Sequence, residues 1–80
     1  MPELGDVIAA NVRRERAGAQ LTQAQLGERL GLSGDTVSNI ENGKRTITAS
    51  DIPRLCSALG IGITDLFARA DPEDLRAMRL

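Results

Sequence analysis

Two short helical patterns in LTQAQLGERLGLSGDTVSNIENGKR, Leu21 to Arg45, stand only two residues apart, with Gly31 and Leu32 between them. The first opens on Thr22 and Gln25, the spacing of a capping box in which the hydroxyl accepts from the third helical amide. Its apolar pair, Leu26 and Leu30, lies on one face and stops at Gly31. The second has Ser33 as N-cap, Val37 and Ile40 as its apolar side, and Asn42-Gly43 able to take positive φ at its end. So short a joint forces a sharp corner, and a glycine makes it without a Cβ penalty. Gly27 costs the first helix ~1 kcal/mol of propensity, which points to a close approach of the two helices there.

The flanking sequence continues in helical spacing. Leu4, Val7, Ile8 and Val12 predict a first helix running to about Ala17 and ended by Gly18. Thr48 or Ser50 can start the fourth, which carries Ile52, Leu55, Cys56 and Leu59 up to Gly60. Pro53 favours Ser50, because its missing amide then falls in the first turn, where no internal partner exists. Ile61 and Ile63 precede a short turn, Thr64 to Ala68, that contributes Leu66 and Phe67. Asp71-Pro72 are an N-cap and first-position pair opening a last helix over 72–79, with Leu75 and Met78 on one side. With no strand-like alternation and no internal repeat, residues 1–80 read as one all-α domain of five helices plus an additional short C-terminal one. At 80 residues a single core is marginal, and Phe67 is the only aromatic, so that core must be aliphatic.

Composition removes most chemistry. Histidine is absent and Cys56 is the sole cysteine, which excludes disulfide frameworks, thiolate-imidazole zinc sites and histidine-based catalysis. Cys56 sits between Leu55 and Leu59 and reads as a small core residue. The eleven acids are scattered, and the cluster Asp71, Glu73, Asp74 reads as a helix start rather than a metal cage. The expectation is no enzyme, no cofactor and no metal. No apolar run approaches the ~18 residues of a membrane span, and MPELGDVIAA lacks the basic start of a secretion signal, so a cytoplasmic chain with no membrane partner is expected. The net charge is −1, with the acid excess in the C-terminal third: five acids against four Arg over residues 48–80.

At about 100° per residue, Val37 and Ile40 average near one direction of the third helix, and Asp35, Ser38, Asn39 and Asn42 about 180° away. That outer face carries short polar side chains instead of long Glu/Lys cover, and such a face can approach base edges in a major groove.

Two short helices at a tight corner make a helix-turn-helix. The combination TQ-x-x-L, then G-L-S, then V-S-x-I-E-N-G-K resembles the Cro/repressor-type helix-turn-helix family, also called XRE-like, over roughly Ile8 to Phe67, with the motif itself at Thr22–Asn42. The resemblance implies a lambda-repressor-like fold and double-stranded DNA as partner. By position it implies that Gln23 donates to a phosphate, and that Ser33, Gly34, Asp35, Ser38 and Asn39 read bases or the adjacent backbone. Asn39 suits adenine and Asp35 suits cytosine, or Asp35 serves the helix N-terminus as a charge. Gly34 departs from the family's frequent Gln or Arg, which leaves its base unread by a side chain. Asn42, Lys44 and Arg45 match phosphate contacts, with a solvated loop as the alternative for Arg45. Arg16 and Glu41 match a structural ion pair from the first helix to the end of the third.

The C-terminal segment has two readings: Leu75, Met78 and Leu80 fold back onto the domain, or join Ile63, Phe67 and their symmetry mates in a homodimer contact. The sequence thus predicts a sequence-specific transcriptional regulator, a dimeric repressor of a near-palindromic operator. Its rival is a protein-binding module such as an antitoxin, with DNA contact secondary and a protein partner held on the near-neutral surface.

Overall fold

The computed structural model describes residues 3–80, so the first two residues of MPELGDVIAA lie outside it. Six helices follow one another: α1 Leu4–Gly18, α2 Gln23–Leu30, α3 Gly34–Glu41, α4 Asp51–Leu59, α5 Ile63–Leu66 and α6 Pro72–Ala77. There is no strand among the described residues.

The inward stripes meet in one aliphatic core. Val12 of α1, Leu26 of α2 and Val37 of α3 are completely buried, with Ile8, Ile40, Leu55, Leu59, Leu66 and Phe67 around them. Transfer of such side chains from water, about 1.5–3 kcal/mol each, is the main force holding helices too short to persist alone.

Several ends differ from the sequence reading. Gly18 stays inside α1, and the left-handed residue is Gln20, φ 59. That turn is held by Gln20 N–H to Ala17 O (3.0 Å), by Leu21 N–H to Arg16 O (3.1 Å) and by the Arg16 guanidinium, which donates to Leu21 O at 2.8 Å. These bonds offset the ~1–2 kcal/mol that a left-handed non-glycine costs.

At α4, Ser50 does precede the helix, but its hydroxyl makes no cap. Asp51, the first helical residue, instead reaches back: its Oδ2 accepts from the Thr48 amide and hydroxyl, at 2.9 and 3.0 Å. Ile52 N–H meanwhile bonds Ala49 O at 3.3 Å, taking the carbonyl that Pro53 cannot serve. Asp71 caps α6 through Glu73 N–H, 2.9 Å. That helix stops at Ala77, short of the predicted 79, because Arg79 turns to φ 58 and Leu80 N–H bonds Leu75 O at 2.9 Å.

One buried polar residue was missed. Asn11, 1% exposed, sends its Nδ2 to Leu66 O (2.7 Å) and Ala68 O (2.8 Å), tying α1 to the turn after α5.

Candidate nucleic-acid interface

The corner is built from backbone. Gly31 adopts φ 71, and Leu32 N–H bonds back to Gly27 O at 2.8 Å, closing α2 as α3 begins. A Cβ on Gly27 would lie 2.5 Å from Leu32 O, so the glycine makes room for the connecting turn itself. The capping box is complete, with Gln25 N–H to Thr22 Oγ1 at 3.0 Å and Thr22 N–H to Gln25 Oε1 at 2.8 Å. Ser33 Oγ accepts from Thr36 N–H at 3.1 Å and touches Thr36 Oγ1 at 2.9 Å, so capping already occupies this base-reading candidate.

With Val37 and Ile40 in the core, the opposite flank of α3 points to solvent. Asp35 and Asn39 are exposed, and Ser38 is half-buried. Asn42 is exposed and donates through Nδ2 to Ser38 Oγ at 3.3 Å. Nothing within the described chain covers the Asp35 and Asn39 side chains. Gly34 is half-buried against α2.

An ion pair fixes how this flank is presented. Arg16 Nε donates to Glu41 Oε2 at 2.6 Å and Nη2 to Oε1 at 3.1 Å, a bidentate fork whose carboxylate side chain is only 3% exposed. The hydrogen bond to Glu41 raises the Arg16 pKa, burial opposes it, and the carboxylate charge adds to the rise. Gln23 joins the network, its Nε2 donating to Glu41 Oε1 at 3.2 Å. It is therefore a half-buried side chain gathered to the end of α3, not a freely solvated first-turn residue. Glu41 thus links α1, α2 and α3.

The basic pair after α3 divides. Lys44 is exposed, and its N–H and that of Arg45 both bond Asn39 O, at 2.9 and 3.2 Å. Arg45 is half-buried and lines a cavity of about 30 Å³ with Asp51, Arg54 and Leu55. So Gln23, Asp35, Ser38, Asn39, Asn42 and Lys44 lie on or beside α3, and Arg45, half-buried, stands between the start of α1 and α4.

The dimer candidates also divide. Ile63, Met78 and Leu80 are exposed by 44%, 37% and 42%. Leu75 is half-buried, packed against the core. Phe67 is a correction: at 2% exposure it is a core residue and has no surface to offer a second subunit. Cys56 is half-buried rather than fully enclosed, and burial, then the Asp65 charge, pushes its thiol pKa up. No cluster of His, Cys, Asp and Glu able to hold a metal occurs among the described residues.

The helix-turn-helix domain family matches residues 7–70, the span that contains the corner, the ion pair and the core. The chain belongs to that family. A hypothetical transcription factor, NHTF, from Neisseria is 28% identical, covering 98% of this chain and 86% of its own, with a TM-score of 0.75. The clp gene regulator ClgR from Corynebacterium glutamicum is 26% identical over 98% of this chain and 84% of its own, TM-score 0.79. The restriction-modification controller protein C.AhdI from Aeromonas hydrophila is 29% identical over 78% of this chain and 94% of its own, TM-score 0.71. By family and by these neighbours the chain is a DNA-binding transcription regulator.

Proposed function

We propose that this helix-turn-helix regulator is a dimeric repressor that places α3 of each subunit in successive major grooves of a near-palindromic operator. The single observation carrying the reading is the uncovered flank of α3, with Asp35 and Asn39 exposed beside half-buried Ser38. In it, Asp35, Ser38 and Asn39 read base edges. Gln23, Asn42 and Lys44 hold phosphates, with Arg45 contributing charge from its half-buried position.

Ile63, Met78 and Leu80 are exposed large apolar side chains of the C-terminal region, and the gain from burying them between two subunits favours the dimer. Two readers ~34 Å apart match one turn of DNA. Repression follows from occlusion of a promoter. The reading assigns the chain no catalytic step and places it with its DNA in the cytoplasm; no described helix is long and apolar enough to cross a membrane.

Titration of a labelled random duplex at several salt concentrations tests it. Lys44 and Arg45 in each of two subunits give a slope of log affinity against log salt of about −4, and a single subunit about −2. DNA binding that does not respond to salt would contradict the proposal and favour the protein-binding alternative.

A further inference from the structure

If the flank of α3 reads bases, Gly34 at its first position stands where a reader is missing. A Cβ built on Gly34 would lie 3.3 Å from both the Cα and the amide nitrogen of Ala24, and 3.6 Å from its Cβ. The Cα and nitrogen are backbone atoms of the first turn of α2 and the Cβ is fixed to them, so none can rotate aside as a side-chain tip can. Gly27 mirrors the arrangement from the other helix, since its Cβ would meet Leu32 O at 2.5 Å and Ser33 C and O at 3.1 Å. At two points, then, the α2–α3 corner is closed by main chain on main chain.

The neighbour of Ala24 is Gln23, tied through Glu41 Oε1 (3.2 Å) to the opposite end of α3. The first turn of α2 therefore grips α3 at both ends, through backbone contact at Gly34 and a side-chain bond at Glu41. We propose that Gly34 is a specificity-determining position: by carrying no side chain it sets the seating of the Asp35, Ser38 and Asn39 flank against the phosphate anchor on α2. The proposal rests on the base-reading role of that flank. A side chain at 34 first pushes α2 and α3 apart by a few tenths of an ångström. Because α3 is one rigid helix, the displacement reaches all three readers together, and hydrogen bonds lose strength quickly as distance and angle degrade.

The test is Gly34→Ala in the full chain. It compares sites selected from a random DNA pool and the ratio of selected-site to random-duplex affinity, with thermal unfolding recorded alongside. The expected result is a three- to tenfold fall in that ratio, spread over several base positions. A variant that selects the same sequence with the same ratio overturns the proposal. A wild-type chain that selects no sequence removes the base-reading role of α3, and the Gly34 role with it. Should the variant unfold, nuclear Overhauser contacts between the Gly34 and Ala24 α-protons in the wild type decide: their presence supports the close seating, and their absence overturns it.

Discussion

Asn11 and Asn39 carry the same amide, and burial separates their uses. Asn11 is enclosed and bonded to two carbonyls across the fold, whereas the Asn39 side chain is exposed on α3. Asn11→Leu should cost about 1–3 kcal/mol, because it strands the Leu66 and Ala68 carbonyls; urea unfolding measures this, and a loss near zero would deny Asn11 its structural role. Asn39→Ala should leave the unfolding curve nearly unmoved while costing about 1–3 kcal/mol on the preferred site at one base position. Competition with single-base operator variants reads that loss, and unchanged discrimination would remove Asn39 from the readers. Asn39 was legible because it stands on the polar side of a short amphipathic helix. Asn11 was not, since its partners are main-chain carbonyls 55 and 57 residues away. The signal that existed is its place beside Val12 and three residues after Ile8, a polar side chain on an apolar stripe.

Among the elements, α2 and α3 were fully readable because their caps are local: Thr22 with Gln25, and Ser33 with Thr36, each span three residues. At the start of α4, Pro53 points to Ser50, whereas the bond that forms is the equally local one from the Thr48 amide to Asp51. This bond between Thr48 and Asp51 has a pH signature. The Thr48 amide, then its hydroxyl and the charges of Arg45 and Arg54, hold the Asp51 carboxyl below its ordinary 3.8 against the opposing effect of burial. The unfolded chain therefore takes up the proton first as pH falls. The stabilisation is complete above about pH 4 and is lost as pH drops through the lower folded value. Asp51→Asn should flatten the dependence of the thermal midpoint between pH 7 and pH 3. An acid limb as steep as the wild type's would show that other carboxylates govern it.

For the whole molecule, a domain measuring 34 × 23 × 22 Å turns one polar flank outward, gathers its inward apolar side chains into one core, and leaves Ile63, Met78 and Leu80 exposed. Its corner and core follow from spacing, which is why they could be read from the chain. The division of the C-terminal segment could not, because the spacing puts Leu75 and Met78 on one side of the predicted helix, and only packing sends Leu75 toward the core and leaves Met78, just past the end of α6, outside. The same limit applied to Phe67, whose apolar character fits a core and an interface equally. The central claim is that DNA meets the uncovered side of α3. Amide chemical shifts followed while a short duplex is titrated into labelled protein test this most directly. The largest changes should fall on Gln23, Asp35, Ser38, Asn39 and Lys44, with residues 63–80 far less affected by the DNA itself. Changes centred on α5 and α6, with α3 unmoved, would contradict it.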